Sequence, residues 1–266
     1  MHSEKTPFCD IIDKLISQGY AVCDDFLPAE IIAALLNKAN TSYKAGEMNQ
    51  AKIGKISRVT NTNIRGDFTY WLSENSKHAA TQFYFKQIML LKNVLNRQLM
   101  MSLHEIEAHL AVYPIGSMYA RHLDQFNQGT QQINQVDSAQ TRQISSVLYL
   151  NDDWKKHDGG ALRLYLPIET LQTHYLQTET LQKDMLQKDT LQKDDLQKKD
   201  LLKNNQLHDK NNNKMKEETK KESREEFIDI MPVAGRLVLF LSKQFWHEVL
   251  PANRTRVSLA GWYKSR

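Results

Sequence analysis

Residues 113–124 read YPIGSMYARHLD, and the reading of the fold turns on the last three. In an extended chain alternate side chains share a face, so His122 and Asp124 are expected to project side by side. An imidazole and a carboxylate are two thirds of the two-histidine, one-carboxylate set that holds Fe(II) and leaves positions open. A His-x-Asp triplet alone is a common accident, and a bland surface pair is its ordinary meaning.

The C-terminal stretch, residues 235–263, changes that meaning. Gly235 is a turn into the apolar run Leu237 to Leu241, FWHEV follows at 245–249, and residues 254–263 alternate like a further strand. His247 supplies a second nitrogen ligand. Arg256 follows on the next strand, with Ser258 on its face. A guanidinium there can grip the far carboxylate of a dicarboxylic co-substrate through two parallel bonds, which a lysine cannot match.

With these pieces in place the chain resembles a prolyl-hydroxylase-type 2-oxoglutarate- and iron-dependent dioxygenase, close to the hypoxia-sensing prolyl hydroxylases and their bacterial relatives. The matching motifs, in the family's order, are IRGD (64–67), YPxG (113–116), YxRHxD (119–124), LYLNDDW (148–154), GGALRL (159–164), HEV (247–249) and RxS (256–258). The resemblance implies a mainly β protein with N-terminal helices, a double-stranded β-helix or jelly roll. It implies one dioxygenase domain over 1–266, with a helical scaffold and lid in 1–103 and the β-helix in 104–266. It implies Fe(II) on His122, Asp124 and His247, which are also the catalytic centre, with 2-oxoglutarate and O2 as co-substrates and ascorbate as an optional reductant. The 2-oxoglutarate would lie against Arg256, Tyr149, Tyr113, Ser258 and Leu162, and the substrate against Arg142, Tyr119 and Trp262. The implied reaction is hydroxylation of proline C4 in an exposed loop of a protein, a translation factor among the expected targets, with release of succinate and CO2. Two departures stand out. Trp246 replaces the proline that hypoxia sensors have before the distal histidine, and Ala260 replaces a polar residue, so both are expected to alter the pocket wall.

Other readings stay open beside this one. One keeps the oxygenase and changes the substrate to another side chain, a free amino acid or a small molecule. The other is a non-catalytic jelly roll that receives peptides, against which the complete ligand set with Arg256 argues.

Composition sets the frame. A chain of 266 residues, 41% hydrophobic and with net charge +4, can build a proper core, and that charge is too small to suggest nucleic acid. No run approaches the ~18 apolar residues of a membrane span. The opening residues carry no apolar run, and Cys9 and Cys23 lack metal-type spacing. A cytoplasmic protein with reduced thiols is expected. Helical spacing marks residues 7–18, 28–43 and 77–103, and alternation marks strands at 20–26, 104–113 and 142–151. The polar stretch 44–67 reads as a surface loop or as a lid over a protein substrate, since a small molecule would not need so open a cleft.

From Ile168 the sequence changes to tandem pentads of the ETLQK type, then Asn/Lys/Glu-rich sequence to Glu226. A leucine every fifth residue advances about 140° around a helix, so the leucines spiral and form no seam. The segment reads as a low-complexity insertion, 168–226, at the tip of a hairpin. Deleting residues 169–226 and closing with a short turn is predicted to leave the melting temperature nearly unchanged, because long surface insertions cost little. A large drop in a thermal melt would show that the pentads pack on the core.

Overall fold

The computed structural model describes residues 8–51, 61, 64–125, 141–167 and 225–265. Residues 168–224 of the insertion, residues 52–60 and 62–63 of the expected lid and residues 126–140 of the Gln/Asn-rich loop lie outside the described residues. The chain divides into two compact units, residues 1–166 with 227–266, and residues 167–226. The first unit carries every element named below.

Among the described residues three α-helices, α1 (Cys9–Gln18), α2 (Ala29–Lys44) and α3 (Ala79–Leu99), accompany eleven strands. The strands are β1 (Tyr20–Cys23), β2 (Asn49–Gln50), β3 (Phe68–Trp71), β4 (Leu103–Tyr113), β5 (Tyr119–His122) and β6 (Thr141–Tyr149). Then follow β7 (Leu162–Tyr165), β8 (Phe227–Ile230), β9 (Leu237–Leu241), β10 (His247–Val249) and β11 (Arg256–Ser265). The helices fall where helical spacing places them, α1 and α3 shorter by a few residues and α2 shifted by one. The short β2 and β3 have no strong alternation and were not expected as strands, whereas β8 pairs with β7 as the hairpin expected on either side of the insertion.

All named pairings are antiparallel. The larger sheet runs β1-β9-β6-β11-β4-β3-β2 and the smaller runs β5-β10-β7-β8. This is the jelly roll. β9 (LVLFL) reads as a continuous apolar run because both of its faces are buried, while β4, β6 and β11 carry polar residues among the apolar ones. On β4, Leu110 and Val112 face the helices and pack with Leu35, Leu91 and Leu95, while Ala111 and Tyr113 face the gap between the sheets. On β9, Leu237 and Leu239 take the helical side, and Val238 and Phe240 the inter-sheet side. Each such side chain, fully buried, contributes about 1.5–3 kcal/mol.

The helices thus complete one core, and the inter-sheet space holds a second core that opens at one end into the site. Gly19 shows how tightly the two are joined. It ends α1 at φ 76°, its N–H donating to Leu15 O, and a Cβ there would come within 2.9 Å of the Phe245 ring. Among the described residues no helix is long and apolar enough to cross a membrane.

Candidate metal and co-substrate site

His122 on β5 stands directly opposite His247 on β10. Strand alternation turns both rings toward the space between the sheets, and their centroids are 4.1 Å apart. Asp124 is not in the strand. β5 ends at His122 and Asp124 sits in the bend beyond it. The carboxylate still meets both rings, with Oδ1 3.8 Å from His122 Nε2 and Oδ2 3.6 Å from His247 Nε2. The three donor atoms lie within 4.8 Å of one another, a group that could hold a metal ion.

Both imidazoles are fixed by the same local device. His122 Nδ1 is 2.8 Å from Ala120 O, and His247 Nδ1 is 3.1 Å from Phe245 O. A carbonyl only accepts, so each Nδ1 carries the proton and each Nε2 presents its lone pair. Burial, the neighbouring His247 and other groups depress His122 to about 3, so it is neutral and able to ligate at neutral pH. Burial opposes ionisation of Asp124, but His247, His122 and the Ser145 hydrogen bond outweigh it and hold the carboxyl at about 2. Ser145 Oγ donates to Asp124 Oδ2 at 2.6 Å and is itself 2.8 Å from Ser242 Oγ. Neutral nitrogens beside an ionised carboxylate are the donor set of non-haem Fe(II).

A cavity of about 550 Å³ runs from these residues toward β11. Tyr113, Leu162, Arg256 and Ser258 line it, as do Tyr119, Arg142 and Trp262. Arg256 is the most telling of these. It is 1% exposed, donates from Nε to Gly160 O at 3.0 Å and from Nη1 to Ser258 Oγ at 3.2 Å. Among the described residues no carboxylate lies within ion-pairing distance of it, although a buried charge ordinarily has one. Gly160, at φ 69°, permits this approach, since a Cβ there would sit 3.3 Å from Arg256 Cδ and 2.9 Å from Ala252 Cβ. Tyr149 is not on the cavity wall. Its ring lies 5.1 Å from the Arg256 guanidinium, and its hydroxyl is buried without a hydrogen-bond partner among the described residues. An unneutralised guanidinium beside an orphaned hydroxyl fits a carboxylate of a small dicarboxylic acid.

With that geometry, a family model described as the 2OG-Fe(II) oxygenase superfamily matches residues 108–264. The chain belongs to this superfamily. Its members work with Fe(II), 2-oxoglutarate and O2, so this chain is a 2-oxoglutarate-dependent dioxygenase. Among solved structures it is similar to a Pseudomonas putida prolyl-4-hydroxylase, 29% identical, covering 96% of this chain and 97% of that one, TM-score 0.65. It also resembles the Trichoplax adhaerens prolyl hydroxylase, solved with a hypoxia inducible factor peptide, at 21% identity, 96% and 88% coverage and TM-score 0.65. The epimerase SnoN, solved with Fe3+ and alpha ketoglutarate, shares the fold at 10% identity, 96% and 82% coverage and TM-score 0.55.

The superfamily's cavity here has features that spacing did not reveal. Ser145, His109, Trp71 and Arg65 all line it. Alternation along β4 puts His109 on the same face as Ala111 and Tyr113, which was the available signal. Ala260 lines the cavity as expected, but Trp246 is not among the lining residues. It precedes His247, so it turns to the outer face, where it is 44% exposed and meets Arg121. Arg142 forms two bonds to Glu107 Oε1, at 2.9 and 2.7 Å, and stacks 3.7 Å from the Trp262 ring.

His109, 2% exposed, lies between Trp71 and Trp262 at ring distances of 4.8 and 5.3 Å. Burial is the main cause holding its pKa down at about 4, against 6.5 when free. Its folded value is the lower, so its stabilising contribution is complete above about pH 6.5 and is lost as pH falls toward 4. His109→Phe is predicted to remove that part of the acid slope, up to about 1.4 kcal/mol per pH unit. Urea unfolding of both proteins between these pH values checks this, and parallel profiles would contradict it.

Proposed function

We propose that the protein hydroxylates a prolyl residue of a protein substrate at C4, with His122, Asp124 and His247 as metal ligands and Arg256 as the anchor for 2-oxoglutarate. The observation that carries the site assignment is the buried Arg256, without a carboxylate partner among the described residues, in the same cavity as the three converging side chains. Support for proline comes from the likeness to the Pseudomonas putida prolyl-4-hydroxylase, which extends over nearly the full length of both chains. A second support is the aromatic wall of Trp71 and Trp262. Indole faces suit a pyrrolidine ring, which is apolar and rigid.

In this reading Arg256 and Tyr149 hold one carboxylate of the co-substrate, and Ser258 and Tyr113 flank it. The iron with 2-oxoglutarate and O2 supplies the oxidising chemistry, releasing succinate and CO2 and adding one oxygen to the substrate carbon. Ser145 keeps Asp124 oriented and ionised, and the Nδ1–carbonyl bonds keep both imidazoles aimed. Trp262 and Arg142 form one cleft wall, and Tyr119 another part of it. Ascorbate would serve as reductant, and a sequence with only two cysteines, lacking metal-type spacing, suits a cytoplasmic setting. A different substrate for the same chemistry remains the second reading, favoured by the alanine at 260 in the cavity wall and by the shared fold of SnoN.

The test is tandem mass spectrometry of lysate proteins incubated with the enzyme, Fe(II) and 2-oxoglutarate. One added oxygen on a prolyl residue is the expected result and would also identify the target, a translation factor among those anticipated. Oxygen found only on another side chain or a small molecule would overturn the prolyl reading. Arg256→Lys keeps the charge and loses the fork, and is predicted to raise the apparent KM for 2-oxoglutarate about tenfold or more. An unchanged KM would move the co-substrate elsewhere.

A further inference from the structure

The IRGD stretch (64–67) takes no part in the chemistry above, yet it touches the metal strand at every level. β5, which carries His122, is the edge of the smaller sheet. An edge strand has one side unpaired and is the easier part of a sheet to open. Here that side is partly covered. Ala120 N donates to Ile64 O at 2.7 Å, Gly66 N donates to Met118 O at 3.0 Å, and Arg65 bridges Tyr119 in antiparallel register. Gly66 is required for so close an approach, because a Cβ there would lie 2.9 Å from Ser117 Cβ.

The side chains continue the contact. Asp67 is 0% exposed and accepts two bonds from Arg65, Nε to Oδ1 at 2.7 Å and Nη2 to Oδ2 at 3.0 Å. Burial disfavours the Arg65 charge, but the Asp67 bonds more than restore it and its pKa is raised. The clamped guanidinium lies 4.5 Å from the Tyr119 ring centre and donates to its hydroxyl at 3.4 Å. Tyr119 in turn stacks on His122, with centroids 3.7 Å apart and planes at 20°. The other histidine needs no such help. His247 sits on β10, between β5 and β7, and packs edge-on against Phe240 at 4.7 Å.

We propose that Ile64–Asp67 is a clasp for the metal site, with Arg65 as a positioning residue acting through Tyr119 on the His122 ring. The clasp rests on the reading of His122 as a metal ligand. Asp67 fixes the guanidinium plane, the guanidinium fixes the phenol ring, and the ring fixes the imidazole rotamer on the exposed side of the ligand set. This gives Tyr119 a role beyond the cleft wall. It also ties the end of the 44–67 stretch to the strand that carries His122.

The test is calorimetric titration of the metal-free, full-length protein with Co(II) under anaerobic conditions. Tyr119→Leu removes the stacked ring and is expected to weaken Co(II) binding about tenfold or more, the usual scale for losing a group that orients a ligand. Tyr119→Phe keeps the ring and should bind within about threefold of the parent, since only one long hydrogen bond is lost. Arg65→Met should weaken binding in the parent background but add little to Tyr119→Leu, because coupled groups are non-additive. A purely structural role for Arg65 would give the same loss in both backgrounds and overturn the clasp. Parent-like affinity in Tyr119→Leu would also overturn it, and this pair decides the matter should Arg65→Met fail to fold. If the parent itself does not bind Co(II), the metal reading falls and the clasp with it. Binding by the parent and equally by all variants removes the clasp alone.

Discussion

A guanidinium buried to 1% exposure with no carboxylate partner among the described residues is the constraint around which the inner cavity is arranged. Burying a charge costs several kcal/mol unless other groups compensate. Gly160 O and Ser258 Oγ supply part of that compensation, and the Tyr113 and Tyr149 rings lie 5.0 and 5.1 Å away. The local backbone follows from this need. Gly160 adopts a left-handed conformation that keeps its carbonyl on the guanidinium and leaves no Cβ in the way. The larger sheet brings Arg256 opposite Tyr113 and Ser258 opposite Tyr149, so the polar end of the cavity is built from three adjacent strands. The smaller sheet contributes the two histidines at the cavity's other end.

That division gives each sheet one task. The larger sheet is rigid because its strands are packed on both faces, and it carries the anchor. The smaller sheet carries the two histidines of the proposed ligand set, and its edge strand needs reinforcement. Ser145 and Ser242 reach across from the larger sheet to steady Asp124, while the IRGD stretch steadies β5 from outside. Positioning of this kind matters because catalysis by a bound group depends on held geometry more than on the identity of the ligands alone.

Much of this could be read in the sequence, for a physical reason. Alternation along β4 and β11 is a local property, so the cavity-facing residues Tyr113, Arg256 and Ser258 agree with strand parity, whereas Tyr149, expected there from the resemblance, lies behind the cavity wall. His122 and His247 follow likewise. Asp124 was placed on the right side for an incomplete reason, since the strand ends before it and a bend delivers the carboxylate. What escaped were contacts that no local pattern encodes. Arg65 and Tyr119 are 54 positions apart, and Ser145 and Ser242 are 97 apart. Their proximity is a product of sheet order. Trp246 was misread because its neighbour His247 faces inward, so Trp246 must face out. Residues 168–224 of the insertion and residues 52–60 and 62–63 of the expected lid lie outside the described residues, and their expected character stands on composition.

The central claim is that His122, Asp124 and His247 hold an iron ion that 2-oxoglutarate, anchored by Arg256, can chelate in the same cavity. Anaerobic optical titration of the Fe(II)-loaded protein with 2-oxoglutarate tests it most directly. The account predicts a new visible metal-to-ligand charge-transfer band that saturates at one 2-oxoglutarate per iron and is absent when zinc replaces iron. No band, or 2-oxoglutarate binding that leaves the iron spectrum unchanged, would contradict it.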